Sequence, residues 1–224
     1  MMRRRIHLTL IAMALSLAAH ASMGSAEPSL QAATPQPVIT YNADGITVTG
    51  TTPGGRVILF GISRRPLGVA ASTARRWLVQ TASAAGTVTF TFGSAVPRSS
   101  IYAAVDFETG AYAIRTPGTY PLRLATFPNK ALRKSGDAYT QLGLDRVALE
   151  VLCVRPGKNA WQVFLTDCSR RDRDGTCDGK LTVDASALEP LVSDKDDLKD
   201  FKQHDVVIMI DPMEMDVMAS EVGK

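Results

Sequence analysis

The chain has 224 residues, of which 45% are hydrophobic and 21% charged, with 25 basic and 22 acidic side chains. A chain of this length and composition can bury a substantial hydrophobic core. The charges are nearly balanced and form no basic stripe interleaved with aromatic residues, which argues against a nucleic-acid-binding protein.

The first 26 residues have the pattern of a secretory signal peptide. Three arginines at positions 3–5 precede a mostly apolar run at 6–19, and small residues offer cleavage sites after Ala21 or Ala26. The apolar run, about 14 residues long, is short for a bilayer-spanning helix, so we predict no membrane span. We expect export to the periplasm or the extracellular space, with residues 27–37 as a disordered, Pro- and Ala-rich tether.

Residues 38–127 have the pattern of short strands separated by Gly- and Pro-containing turns. The clearest strand has Val88, Phe90 and Phe92 alternating with threonines, and the continuous apolar run Val57–Ile62 fits a central strand. We predict further strands at Ile46–Thr49, Trp77–Val79, Ile101–Phe107 and Ala111–Arg115, and a short helical or loop insertion at Ala70–Arg76. Without amphipathic helices between the strands, an antiparallel β-sandwich is favoured over a βαβ fold.

Two segments in this region resemble a known family. The sequence ITVTGTTPGGRVILF (Ile46–Phe60), followed by SAAGTVTFTF (Ser83–Phe92), is similar to the Ig-like modules of bacterial secreted and surface proteins. In both, a Pro-Gly turn joins two strands, and Gly86 permits the turn into the next core strand. The resemblance implies an Ig-like antiparallel β-sandwich at 38–127 and a role in adhesion, spacing or ligand presentation, and it defines no catalytic residues.

The remainder of the chain is predicted to be a smaller β-rich unit at 144–224, connected by a polar linker at 128–143. Val147, Leu149, Val151 and Cys153 share one strand face, and Trp161, Val163 and Leu165 return after a turn at Arg155–Asn159. Further strands are expected at Lys180–Asp184 and Val206–Ile210. The fold class is therefore mainly β, with the sandwich followed by this second unit.

One short helix is predicted between the last two of these strands. Ser193 would be the N-cap, acidic residues at 194, 196 and 197 would occupy the first turn, and Lys199 and Lys202 would lie near the end. Leu198 and Phe201 would supply its inward face.

The distribution of histidine excludes several catalytic and metal sites. His7 and His20 lie in the predicted leader, so His204 is the only histidine of the predicted mature chain. A multi-histidine zinc site is thus excluded, and a G-x-S-x-G, phosphate-loop or H-E-x-x-H motif does not occur. We predict no catalytic residues, although the 17 acidic residues after position 140 leave a carboxylate-pair hydrolase open.

The three cysteines are interpreted through the predicted oxidising compartment. Cys168 and Cys177 flank a polar excursion whose reversal can bring them within bridging distance, so we predict a Cys168–Cys177 disulfide. Cys153 lies on an apolar strand face and is expected to be a buried, inert thiol.

The same excursion carries a candidate calcium site. In DRDGTCDGKLTVD, the candidate ligands are Asp172, Asp174, Thr176, Asp178 and Asp184. The alternating oxygen ligands and the glycine resemble an EF-hand or dockerin-type loop that begins at Asp174. The twelfth position of such a loop, which normally holds an acidic ligand, is Ala185 in this chain, and Asp184 comes one residue early. The alternative is a polar, disulfide-clamped turn that binds no ion.

Together these patterns predict an exported, non-catalytic binding, adhesion or envelope-structural protein with an unknown protein or glycan ligand. One alternative is a calcium-stabilised glycan-binding module in which Trp77, Tyr102, Tyr112 or Trp161 stacks on a sugar. A second alternative is a small secreted hydrolase that uses acidic residues.

Overall fold

A computed structural model describes residues 35–65, 72–96, 100–116, 124–125, 132–135, 138–146, 148–167, 172–173, 175–192, 197–214 and 216–223. These residues belong to one compact unit, Thr34–Lys224. The predicted leader and most of the tether lie outside them. Within the described ranges, helices long and apolar enough to cross a bilayer are absent.

The described chain is mainly β, which confirms the predicted class. The strands are β1 Val38–Tyr41, β2 Gly45–Thr49, β3 Arg56–Arg65, β4 Ser72–Thr81, β5 Val88–Thr91, β6 Ser100–Asp106, β7 Tyr112–Arg115, β8 Leu124–Ala125, β9 Leu132–Ser135, β10 Ala138–Leu144, β11 Ala148–Arg155, β12 Asn159–Thr166, β13 Leu181–Asp184, β14 Glu189–Pro190, β15 Val206–Asp211 and β16 Asp216–Glu221. A single 3-10 turn at Ala185–Ala187 is the helical element of this part of the chain.

The strands form four sheets. Sheet 1 has the order β1-β2-β5, sheet 2 β4-β3-β6-β7, sheet 3 β14-β12-β11-β15-β16-β8, and sheet 4 β13-β10-β9. The strand pairs are antiparallel except for β16 and β8, which run parallel. Sheets 1 and 2 use strands from the first half of the chain, whereas sheets 3 and 4 are built mainly from the second half.

Three hydrophobic cores join successive sheets. In the first core, Phe90 of sheet 1 packs with Leu59 of sheet 2. The second core contains Phe60 of sheet 2 and Leu152 of sheet 3, and the third contains Val151 of sheet 3. Adjacent residues such as Leu59 and Phe60 enter different cores because successive strand side chains point to opposite faces. This two-sided burial explains why the central part of β3 and most of β15 are continuous apolar runs rather than alternating ones, and why β11 is apolar from Ala148 to Val154 except at Glu150.

Gly86 illustrates why the predicted turns form where they do. Its φ is +67°, and a Cβ atom would lie 2.3 Å from the carbonyl oxygen of Thr51. Thr51 Oγ1 in turn donates a hydrogen bond to the Gly86 carbonyl at 3.0 Å. A residue without a side chain is therefore required for the chain to enter β5 at this close approach.

Two segments differ in local structure from their sequence patterns. Residues 72–76, expected within a helical or loop insertion, belong to β4 and pair with β3. The polar segment 128–143, interpreted as a linker, contains β9 and part of β10. The second core joins strands of 38–127 to strands of 144–224. The domain bounds and the Ig-like character of the first segment stay predictions.

The predicted helix after Ser193 is wrong for its described part. Residues 193–196 lie outside the described ranges, and residues 197–203 are not helical. Leu198 and Phe201 are each 1% exposed and belong to the third core. The backbone N–H of Lys202 donates to Asp205 at 2.8 Å, and Arg155 donates to the carbonyl of Asp200 at 3.0 Å. One local and one tertiary hydrogen bond thus satisfy backbone groups that a helix would have paired internally.

Candidate functional site

A groove of about 850 Å³ opens at one end of sheets 2 and 3. Its lining comes from four stretches of the chain that are distant in sequence: Thr109, Gly110, Ala111, Tyr112, Pro156, His204, Val206, Ala219, Ser220 and Glu221. The volume lies within the range of roughly 300–1,000 Å³ typical of small-molecule sites. We call this surface the Tyr112 groove.

One wall of the groove depends on two turns that pack together. Gly110 has a φ of +76°, and a Cβ atom there would lie 2.7 Å from Pro156 Cγ. The N–H of Gly157 donates to the carbonyl of Phe107 at 2.8 Å. Glycine at position 110 therefore allows the β6–β7 turn of sheet 2 to sit against the β11–β12 turn of sheet 3.

His204 and Glu221 form the polar pair of the groove. His204 Nδ1 lies 2.7 Å from Glu221 Oε1, and the two side chains are 69% and 24% exposed. The N–H of His204 also donates to the carbonyl of Val222 at 3.0 Å. With a φ of 71°, His204 is the only non-glycine residue with positive φ in the described ranges. Such a conformation is unfavourable by itself and persists when surrounding contacts hold it.

The backbone at His204 is held by its buried neighbour, Asp205. Arg155 donates two hydrogen bonds to the Asp205 carboxylate, from Nε at 2.9 Å and from Nη2 at 2.8 Å. Asp205 is only 1% exposed, and its carbonyl accepts from the N–H of Val222 at 2.8 Å. A bidentate Arg–carboxylate pair supplies directional, charge-assisted hydrogen bonds. It therefore fixes the end of β15 on which the groove depends.

Tyr112 is the exposed aromatic residue of the groove, with 38% of its surface accessible. The other aromatic residues considered for sugar stacking are placed differently. Tyr102 is fully buried, Trp161 is 2% exposed, and Trp77 is half-buried beside Phe60 in the second core. Of the four, Tyr112 alone lines this groove.

Several of the candidate calcium ligands have polar partners in the described residues, and the side chain of Thr176 is hydrogen-bonded to Asp178. Asp178 lies 3.1 Å from Lys180 Nζ, and this hydrogen bond lowers the pKa of Asp178. Asp184 lies 3.3 Å from Arg173 Nη1. Thr176 is exposed, and Asp174 lies outside the described residues. Groups of three or more His, Cys, Asp or Glu side chains suited to a metal ion are absent from the described part of the chain. The calcium site stays a prediction.

Asp172 differs from the other acids of that loop. It is 5% exposed, and its Oδ1 accepts a hydrogen bond from the N–H of Thr182 at 3.1 Å. Its Oδ2 is buried without a hydrogen-bond partner. A buried carboxylate oxygen without a partner is costly, and a bound cation would offset that cost.

The cysteine predictions have different outcomes. Cys153 is a free, buried thiol, and burial raises its pKa well above the ordinary value, with the charge of Asp205 adding to the effect. This confirms the expected burial of Cys153. Cys168 lies outside the described residues, so the Cys168–Cys177 disulfide stays a prediction.

Glu150 is a buried charged residue that the sequence analysis did not single out. It is 0% exposed, lies opposite Ile210 in sheet 3, and has Arg75 Nε of sheet 2 at 3.6 Å. Burial raises its pKa to about 8, and the charge of Arg75 partly opposes that change. Its partner on β15 is four residues from Val206 of the groove, about 13 Å along the strand. Glu150 is therefore not part of the Tyr112 groove.

No family model, curated protein or solved structure matches the chain. Sequence patterns could not identify this site because its residues come together only through the pairing of β15 with β16 and the contact between two turns.

Proposed function

We propose that the chain is an exported, non-catalytic binding protein whose ligand occupies the Tyr112 groove. In this proposal residues 38–127 are an Ig-like β-sandwich, and the leader directs export. The main support for this proposal is that one groove of about 850 Å³ combines the exposed Tyr112 with the hydrogen-bonded pair His204–Glu221.

The lining chemistry supports binding. Ala111 and Pro156, which are both half-buried, supply apolar surface, while His204 and Glu221 supply oriented polar groups. Ligand sites commonly combine apolar walls with a few placed polar groups that fix ligand orientation. An exposed tyrosine contributes a large, rigid contact area at a small entropic cost.

Hydrogen–deuterium exchange of the exported, unreduced protein tests the proposal. The probes are a panel of neutral oligosaccharides and a panel of short peptides, each added at millimolar concentration. A ligand of the groove should slow exchange at residues 109–112 and 219–221, and Tyr112→Ala should abolish that protection. Met213→Ala is the control, because Met213 is 58% exposed and does not line the groove. Protection that is unchanged in Tyr112→Ala would contradict the proposal.

A calcium-stabilised module is a second candidate, favoured by the buried Oδ2 of Asp172. Calcium at about 100 times its dissociation constant would raise the free energy of unfolding by about 2.7 kcal/mol. For a chain of this size the melting temperature would rise by roughly 5–10 °C. Asp172→Asn should remove that rise, whereas Asp44→Asn, in an exposed turn of sheet 1, should preserve it. An equal rise in both variants, or none in the unmodified protein, would reject the candidate.

A further inference from the structure

The charge and the shape of the Tyr112 groove restrict its ligand. His204 and Glu221 are the acid–base pair of the lining, and they contact each other. Among the described residues that line the groove there is no Lys or Arg with which to attract an anion, and the carboxylate of Glu221 is engaged by His204. Gly110, Ala111 and Ala219 are small, and Val206 and Ala219 are only 5% and 7% exposed. Several lining residues are thus small or covered, and the groove is open, unlike the deep pockets that hold the anchor side chains of protein partners.

We infer that the Tyr112 groove binds a neutral saccharide, an inference that rests on the proposed function. The C–H face of a pyranose ring has a weakly positive surface, and the face of a tyrosine ring is the negative part of its quadrupole. Tyr112 stacks on the sugar face. Glu221 accepts hydrogen bonds from sugar hydroxyls, because its side chain is 24% exposed and a carboxylate offers about four acceptor positions.

His204 orients the carboxylate of Glu221, which is the hydrogen-bond acceptor in this arrangement. Its Nδ1 lies 2.7 Å from Glu221 Oε1, so a protonated Nδ1 donates to the carboxylate and restricts its rotation. The positive φ of His204 and its backbone bond to Val222 hold the imidazole beside β16. His204 is thus a positioning residue. Thr109 and Ser220 also line the groove, and their hydroxyl groups donate to Asp106 and to the carbonyl of Glu221. Preorganised polar groups improve affinity because less conformational freedom is lost on binding.

Isothermal titration calorimetry with defined neutral oligosaccharides tests the inference. The probes are the pentasaccharides of the cello-, xylo-, malto- and chito-series, with short neutral peptides as a second panel. We expect one sugar series to bind, with affinity reduced at least about tenfold, or ~1.4 kcal/mol, in Tyr112→Ala. Tyr112→Phe should preserve binding because it retains the ring. Glu221→Gln should weaken binding by a similar factor, and Met213→Ala should bind as the unmodified protein does.

The role of His204 has a separate readout. His204→Gln retains a donor that can reach the carboxylate and should bind more strongly than His204→Ala. A melting curve for each variant confirms that the fold is retained.

The outcomes separate the saccharide inference from the proposed function. Peptide binding that Tyr112→Ala abolishes, without sugar binding, would overturn the inference and uphold a ligand-binding groove. Sugar binding that survives both Tyr112→Ala and Glu221→Gln would overturn the inference and the assignment of the groove together. Absence of binding to every probe in both panels would also count against both.

Discussion

Glu150→Gln should make the stability of the protein depend less on pH. Glu150 is fully buried between sheets 2 and 3, and neither of its carboxylate oxygens has a hydrogen-bond partner in the described structure. Its pKa is raised from 4.5 to about 8, first by burial, with Arg75 partly opposing the rise. The folded protein therefore retains a proton that the unfolded chain releases. This contribution to stability is fully present below about pH 4.5 and is lost as the pH rises through about 8.

The rise in the pKa of Glu150 from 4.5 to about 8 sets the size of the pH effect on stability. At ~1.36 kcal/mol per pH unit it corresponds to at most about 5 kcal/mol of unfolding free energy. Arg75 is 39% exposed, so solvent screening and local relaxation reduce the effect, and we expect about 2–4 kcal/mol. Glutamine resembles the protonated acid in shape and cannot ionise. Arg75 would remain stacked over the Phe164 ring, 4.0 Å from its centroid.

Urea unfolding at pH 5, 7 and 9 measures the difference. The variant and the unmodified protein should have similar unfolding free energies at pH 5, and the variant should be more stable by about 2–4 kcal/mol at pH 9. Glu214→Gln is the matched control, because Glu214 is exposed and should change little at any pH. A difference that is constant across the three pH values, or a Glu150→Gln protein that is less stable at pH 9, would refute the reasoning.

Three further predictions concern the elements around the groove and the core. Gly110→Ala should lower the free energy of unfolding by about 1–3 kcal/mol more than Gly93→Ala does, because both residues have positive φ but only the Cβ at position 110 meets Pro156 and Val206. Paired thermal melts measure this difference, and equal losses would contradict the packing argument. Asp205→Asn should destabilise the protein by roughly 3 kcal/mol, because it breaks the buried pair with Arg155. Asp184→Asn breaks an exposed pair and should destabilise it by less than about 1 kcal/mol. Urea unfolding compares the two variants, and similar losses would contradict the burial argument. Cys153 should resist a thiol reagent in the native protein and react once the protein is unfolded, since its thiol is buried and its pKa is raised. Peptide mass mapping locates the labelled cysteines, and rapid labelling of Cys153 in the native protein would contradict this prediction.

Local patterns predicted many of the strands because side-chain alternation and apolar runs are recorded directly in the sequence. Val88 and Phe90 alternate with threonines, and the structure buries both on one face of β5. The run at 57–62 is buried on both faces of β3, as its continuous apolar character indicates. The pattern could not show that β4 begins at Ser72, since its polar first half is specified by pairing with β3 rather than by its own periodicity.

The helix predicted after Ser193 shows where local propensity loses to tertiary contact. Its described part has acidic and basic residues in the expected order, but Leu198 and Phe201 enter the third core from an irregular segment. Asp205 and Arg155, 50 residues apart, supply the hydrogen bonds that hold it. Buried, bidentate contacts of this kind outweigh the few tenths of a kcal/mol that helix propensity contributes per residue.

The amino-acid sequence alone determined the strand-rich class of the chain, the positions of several tight turns, and the burial of Cys153. Each of these depends on neighbouring residues and the two-residue period of a strand. Only the tertiary structure brought Tyr112, His204 and Glu221 to one groove, and only it placed Glu150 beside Arg75. These juxtapositions depend on how sheets 2 and 3 pack, and packing between distant strands leaves no periodic signal in the sequence.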